Sequence, residues 1–265
     1  MSAVSAPVRI SSADNPLVRS VRKLLTSARE RRRQRRTVLD GWHLLEAFRA
    51  AGGVPERVLL AARLKDTVAT HALLAGLDAR RIALLDDALL DALAPVDTPS
   101  GVLTLIAIPT APRREVRLAL LLEDIQDPGN LGSMLRSAAA AAADAVYLSK
   151  GCADAWSPRA LRGGMGAQFA LALYEDADLV AVARAFPGEV IATSLAARAS
   201  LYDLDLRGRV AFAFGNEGAG LSAELLAAAR CCVRIPMPGG IESLNAAAAA
   251  AVCLFERVRQ LQARP

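Results

Sequence analysis

Aromatic side chains are scarce: they make up 4% of the 265 residues, in a chain that is 53% hydrophobic. A core so poor in Phe, Tyr and Trp has to be filled by Ala, Leu and Val, which favours close-packed helices on a sheet over an aromatic-rich β-barrel. There are only two histidines, and no Ser-His-Asp arrangement is legible; His43 is expected to be exposed or capping rather than catalytic. The four cysteines, Cys152, Cys231, Cys232 and Cys253, lack metal-ligand spacing. No metal partner is expected, and the thiols read as reduced ones of a cytosolic protein. No apolar run approaches the ~18–20 residues that span a bilayer. No N-terminal stretch resembles a signal peptide, so a cytoplasmic protein without membrane contact is expected. A Walker loop is absent, and the first strand of the second half lacks Gly-x-Gly-x-x-Gly, which argues against a nucleotide-cofactor oxidoreductase.

Positive charge is present but uneven. The net charge is +5, yet residues 1–60 carry 12 Lys and Arg against 5 Asp and Glu, and the remainder carries 20 against 22. A polyanion is the natural partner of the N-terminal part. Ser11 to Asn15 offers capping residues and Pro16 suits a first helical turn. Leu17, Val18, Val21, Leu24 and Leu25 then recur at helical spacing, with Arg19, Arg22 and Lys23 largely on the opposite side. Arg31, Arg32, Arg33, Arg35 and Arg36 follow almost without interruption. A charge run commonly forms only a solvated face. Arginine alone at this density favours phosphate contact instead, because its planar fork pairs bidentately with phosphate oxygens.

Strand-like and helix-like segments alternate through residues 37–108 and give a small α/β domain over residues 1–108 without a catalytic constellation. The proline-containing stretch 109–116 reads as a linker, and a second domain follows over 117–265. Leu118 to Leu122 is an unbroken apolar run, as in a strand buried on both faces. Val146–Leu148, Phe169–Leu173, Val190–Thr193 and Val210–Phe214 read as further strands between helices. Five or six such strands predict a mostly parallel α/β sheet, with binding loops past the strands' carboxyl ends.

Three polar clusters each follow a strand: Asn130 with Arg136, Asn216 with Glu217, and Ser243 with Asn245. Each residue also has a structural role open to it. Asn130 can cap its helix. Arg136 can cover apolar surface or pair with Glu123 or Asp124. Glu217 can serve a helix's first turn, and Ser243 and Asn245 can cap the alanine-rich helix.

Taken together, Asp127-Pro-Gly-Asn130-Leu-Gly132-Ser-Met-Leu-Arg136, Phe214-Gly-Asn-Glu217-Gly-Ala-Gly-Leu-Ser222 and Ile235-Pro-Met-Pro-Gly-Gly-Ile-Glu-Ser243-Leu-Asn245 resemble, in order and spacing, the three motifs of the SpoU/TrmH family of RNA 2′-O-ribose methyltransferases, within the SPOUT superfamily. Ser11 to about Leu93 resembles the small substrate-binding domain, related to ribosomal protein L30e, that precedes the catalytic domain in many members.

The resemblance implies an α/β trefoil knot with a mostly parallel sheet in the second domain, S-adenosylmethionine as cofactor, RNA as substrate and a homodimer packed through the knots. It implies cofactor contacts at Thr193, Gly215, Asn216, Glu217, Ile235, Met237 and Leu244. It assigns catalysis to Asn130, Arg136, Glu217, Ser243 and Asn245, with the basic N-terminal residues on RNA. Ribosomal RNA, 23S in particular, is favoured over transfer RNA because an appended domain of this kind resembles the ribosomal branch. The competing readings are a transfer RNA 2′-O-methyltransferase, a related knotted enzyme acting on guanine N1, and an RNA-binding protein without catalysis.

Overall fold

A computed structural model describes residues 7–111, 115–240 and 242–263. The central part of the expected linker, residues 112–114, lies outside the described residues. The chain forms two compact units.

The first unit holds β1 (Val8–Ile10), α1 (Pro16–Thr26), α2 (Ala28–Gln34), β2 (Arg36–Asp40), α3 (Trp42–Ala50), β3 (Arg57–Ala61), α4 (Val68–Leu74), β4 (Ile82–Leu85), α5 (Asp87–Asp91) and β5 (Val102–Ala107). Its five strands run in the order β1-β4-β3-β5-β2, with β1 and β3 parallel to β4 and β5 antiparallel to both β3 and β2. Sequence dictates α1 closely. Asn15 Oδ1 accepts from Leu17 N at 2.9 Å, Pro16 occupies the first turn, and Val18, Val21, Leu24 and Leu25 are buried in the core. Ser27 ends α1 and caps α2, its Oγ accepting from Glu30 N at 3.3 Å.

The second unit opens with β6 (Leu118–Leu122), α6 (Pro128–Ala140) and β7 (Ala145–Leu148). The chain then returns to the first unit for Trp156–Phe169, which contains α7 (Pro158–Gly164). There Thr37 Oγ1 donates to the Trp156 carbonyl at 2.7 Å, and the Phe48 and Phe169 rings lie 5.2 Å apart. Back in the second unit come β8 (Ala172–Tyr174), α8 (Leu179–Ala185), β9 (Glu189–Thr193), β10 (Ala199–Ser200), β11 (Val210–Phe214), α9 (Ala223–Ala228), β12 (Cys231–Arg234) and α10 (Ala246–Gln262).

The second sheet has seven strands in the order β10-β12-β9-β11-β6-β7-β8, and every pairing in it is parallel. The mostly parallel α/β expectation of five or six strands holds: β12 is the short strand ahead of the Ser243 and Asn245 cluster, and the two-residue β10 is too short to announce itself. All five residues of β6 and of β11 are buried, as neighbours at the middle of a sheet covered on both faces must be. A sheet that is parallel throughout puts the exits of β6, β9, β11 and β12 on a single edge. The sequence-level strand at Phe169–Leu173 starts late: Ala167–Phe169 is a 3-10 turn and β8 begins at Ala172.

In the second unit, Asp127 Oδ1 accepts from Asn130 N at 2.8 Å and caps α6. Asn245 Oδ1 accepts from Ala247 N at 2.9 Å and Ala248 N at 3.3 Å and caps α10. α10 packs along α6; Gly132 and Ala138 on one helix and Ala247 and Ala250 on the other are buried, so the axes can approach closely. No helix among the described residues is long and apolar enough to cross a membrane.

Candidate active site

The loops leaving β9, β11 and β12 enclose a cavity of about 420 Å³, closed on one side by the first turn of α10. Thr193, Gly215, Asn216, Glu217, Ile235, Met237 and Leu244, the residues expected at the cofactor, all line it, as does Ser243. Sequence reasoning missed Leu195, Ala196 and Ala249. The signal for the first two was available: in a parallel sheet the residues just past a central strand's carboxyl end face the binding edge.

The polar side chains around the cavity are largely spent on the protein itself. Thr193 Oγ1 donates to the Ala213 carbonyl at 2.9 Å. Asn216 Oδ1 accepts from Gly218 N at 2.9 Å and Ala219 N at 3.0 Å, and its Nδ2 donates to the Asp124 carbonyl at 3.0 Å. The 215–220 loop closes on itself, with Gly220 N donating to the Asn216 carbonyl at 2.9 Å. A Cβ on Gly215 would lie 2.2 Å from the Gly220 carbonyl, so only glycine fits there. The wall therefore offers backbone groups and apolar side chains such as Phe214, Val233 and Ile235.

Beside the cavity three loops are joined side chain to side chain. Asn130 Nδ2 donates to Glu217 Oε1 at 2.6 Å, and Asn130 Oδ1 accepts from Asn245 Nδ2 at 3.0 Å. Each of the three polar clusters contributes one member to this relay. The structural alternatives resolve differently for each residue. Asp127 caps α6, leaving the Asn130 side chain for the relay. Glu217 precedes α9 by six residues and serves no helical turn. Asn245 does both jobs, capping α10 through Oδ1 and bonding Asn130 through Nδ2.

Arg136, exposed on α6, makes no hydrogen bond or ion pair among the described residues. The two carboxylates it could have met are engaged elsewhere: Glu123 accepts from Ser222 N and Oγ, both at 2.7 Å, and Asp124 Oδ1 accepts from Ser149 Oγ at 2.6 Å. Its guanidinium is free for an anion. Ser243, also exposed, has no side-chain partner among the described residues.

The basic residues of the first unit separate into groups. Arg19, Arg22 and Lys23 lie together on the exposed face of α1, and Arg32 is exposed on α2; none of the four forms an ion pair among the described residues. Arg33 pairs with Glu30 at 2.7 Å and Arg36 with Glu56 at 3.0 Å. Arg33 and Gln34 hold the Glu30 carboxyl down at about 2. Arg35, exposed, ends α2 in the left-handed region at φ 51°. Arg31 corrects the expectation of an RNA-facing side chain: it is 4% exposed, and its Nη1 donates to the Leu24 carbonyl at 2.5 Å and the Leu25 carbonyl at 3.3 Å. These carbonyls near the C-terminal end of α1 need donors, and the tight turn at Ser27 brings Arg31 to them.

Comparison with known proteins agrees with this architecture. The model of the SpoU rRNA methylase family matches residues 117–255, and that of the MRM3-like substrate-binding domain matches residues 15–104. An uncharacterised tRNA/rRNA methyltransferase of Synechocystis is 35% identical over 95% of this chain and 93% of its own. The Bacillus subtilis 23S rRNA (guanosine(2553)-2′-O)-methyltransferase RlmP is 31% identical over 93% of this chain and 98% of its own. The crystal structure of an AdoMet-bound rRNA methyltransferase from Sinorhizobium meliloti superposes with a TM-score of 0.81 at 28% identity, covering 96% of this chain and 98% of that one. Fold and site thus define a methyltransferase built on a parallel sheet behind a small substrate-binding domain. The chain belongs to the SpoU family of RNA 2′-O-methyltransferases, whose methyl donor is S-adenosylmethionine.

Proposed function

We propose that this enzyme methylates a ribose 2′-hydroxyl of 23S ribosomal RNA in the cytoplasm, with S-adenosylmethionine bound in the cavity behind the Asn130–Glu217–Asn245 relay. One observation carries the reading: all of the residues expected at the cofactor line a single cavity, and Glu217 of the relay is among them. The cavity fits the group. Its 420 Å³ falls within the ~300–1,000 Å³ of small-molecule sites, and apolar walls edged by backbone N–H and C=O groups suit a purine. The ribosomal target is supported by the MRM3-like domain and by relatives such as RlmP.

When bound, S-adenosylmethionine supplies an already electrophilic methyl group, so the protein has to align the acceptor and stabilise the charge left on it. Arg136 meets the second need. A guanidinium keeps its proton at neutral pH, which makes it a poor base but a good partner for a developing alkoxide and the adjacent phosphate. The relay fixes the loops carrying Glu217, Ser243 and Asn245 relative to α6, and hence to Arg136. Ser243, exposed at the cavity rim, is free to bond the incoming nucleotide.

The C-terminal segment is read as threaded into a trefoil knot, a reading supported by β11 lying between β6 and β9 and by α10 packing along α6. A homodimer is supported by Phe255, which stays 47% exposed on α10. On the first unit, the α1 face of Arg19, Arg22 and Lys23, extended by Arg32, is read as the RNA contact, with Arg35 beside it and Arg33 and Arg36 able to exchange their carboxylate partners for phosphate.

The test is transfer of tritiated methyl from S-adenosylmethionine to total RNA from a strain lacking the gene, with 23S, 16S and transfer RNA separated afterwards. Label in one 2′-O-methyl nucleotide of 23S RNA is the expected result. Label confined to transfer RNA would keep the chemistry and overturn the target.

A further inference from the structure

Two residues outside the three motif clusters hold the wall of the cavity. Glu123 and Asp124 directly follow β6, whose neighbour β11 delivers the 215–222 loop, and Glu123 N donates to the Phe214 carbonyl at 2.9 Å. The Glu123 carboxylate then reaches the far end of that loop. Oε2 accepts from Ser222 N and Oε1 from Ser222 Oγ, both at 2.7 Å. The near end is tied to the next residue, Asn216 Nδ2 donating to the Asp124 carbonyl at 3.0 Å.

Asp124 is itself held in the left-handed region at φ 54°. Its N–H donates to Ser149 Oγ at 2.9 Å, and Oδ1 accepts from the same hydroxyl at 2.6 Å. Gly151 leaves room for this carboxylate: a Cβ there would sit 2.2 Å from Asp124 Oδ1. Short charge-assisted bonds of this kind are about twice as strong as neutral ones and fix direction as well as distance. Within the glycine-rich 215–222 segment the bonds from Asn216 to residues 218–220 close the turn on itself, whereas Glu123 and the Asp124 carbonyl tie its two ends to the exit of β6.

We propose that Glu123 is a positioning residue for the cofactor: with the Asp124 carbonyl it clasps both ends of the 215–222 loop and so fixes the backbone groups that the loop presents to the cavity. The inference rests on the reading of that cavity as the S-adenosylmethionine site. The carboxylate meets both groups of Ser222 as a charged acceptor, which strengthens both bonds. An amide at 123 would turn an NH2 group toward one of those donors.

The test is calorimetric titration of S-adenosylmethionine into the full chain, with steady-state kinetics and a thermal melt on the same preparations. Glu123→Gln is expected to raise the Kd and KM for S-adenosylmethionine about tenfold, with kcat within about twofold of the wild type. Ser222→Thr keeps hydroxyl and N–H and should bind as the wild type does, whereas Ser222→Ala loses both the hydroxyl bond to Glu123 and the α9 cap on Leu225 N and should bind about threefold more weakly. The double variant Glu123→Gln/Ser222→Ala should be no weaker than Glu123→Gln alone.

A folded Glu123→Gln that binds within about twofold of the wild type overturns the proposal, as does a lowered melting temperature with unchanged Kd, which marks a purely structural bond. If Glu123→Gln does not fold, equal affinities for Ser222→Ala and Ser222→Thr overturn it. Ala196→Trp, at an exposed position on the cavity wall, separates the two readings. Loss of binding there with none in Glu123→Gln removes the clasp alone. Unchanged binding in both removes the cavity assignment.

Discussion

The case for Arg136 is one of availability. An arginine surrounded by acceptors would be structural; this one is exposed and has no partner among the described residues, while Glu123 and Asp124 are occupied. Arg136→Lys keeps the charge and loses the planar fork, so kcat should fall about 10²-fold with the Kd of S-adenosylmethionine unchanged. Near-full turnover in that variant would sink the alkoxide role. Asn130 gives a sharper reading, because its amide donates to Glu217 and accepts from Asn245 at once. Asn130→Asp sets two carboxylates against each other at the 2.6 Å now spanned by a hydrogen bond. Like charges so close raise the pKa of the pair until a shared proton restores the bond. The variant should therefore lose most activity at pH about 8.5 and recover part of it, relative to the wild type, toward pH about 6. A deficit that does not change with pH would show that the relay is not held by this bond. Sequence made the members of the relay visible as three polar clusters, but not their bonding. Which of Asp127 and Asn130 caps α6 depends on where the helix begins, and periodicity leaves that uncertain by a turn.

Among the elements, α1 and α2 show why a charge run cannot be read as a single surface. In α1 the apolar stripe at 18, 21, 24 and 25 fixes the outward face, and Arg19, Arg22 and Lys23 are exposed as the pattern requires. In α2 only seven residues separate Ser27 from the left-handed Arg35, and the run is divided by tertiary need. Arg31 goes inward to the α1 carbonyls, Arg33 is held by Glu30, and Arg32 points out. No hydrophobic period marks that division, which is why Arg31 was expected on RNA. The two groups should separate cleanly on mutation. Replacing Arg19, Arg22 and Lys23 together by Gln should weaken RNA binding and reduce the slope of log affinity against log salt by about 2 to 3, with the melting temperature little changed. Arg31→Ala leaves two α1 carbonyls without their buried donor and should cost about 1–3 kcal/mol of stability with the salt slope unchanged. Filter binding over a salt series and a thermal melt distinguish them. A full salt slope in the triple variant would place the RNA elsewhere.

On the scale of the whole molecule, the first break between units falls in the proline-containing stretch where the linker was read, but the assignment of Trp156–Phe169 was not legible. Buried runs such as Leu118–Leu122 announce strands, and glycine- and proline-rich loops mark the binding edge, so the parallel sheet could be read directly. Trp156–Phe169 sits in sequence between two strands of the second sheet, β7 and β8, yet belongs with the first unit, and nothing in local pattern signals which unit a helix will join. The consequence is that the chain passes between units three times rather than once, at 109–110, 155–156 and 169–170. A fragment cut at the proline-rich stretch, Thr110–Pro265, would carry this segment without the unit that buries it. Trp156, Leu161 and Ala160 are almost wholly buried in the intact chain; in the fragment the Trp156 carbonyl would lose the Thr37 hydroxyl and the Phe169 ring would lose Phe48. Exposing two large apolar side chains costs about 1.5–3 kcal/mol each and creates a sticky patch. The fragment should therefore bind an apolar dye, self-associate in sedimentation velocity and melt well below the full chain. A monomeric fragment that melts like the intact protein would mean that the second unit is complete from Thr110 onward and that Trp156–Phe169 is only a passenger on the first.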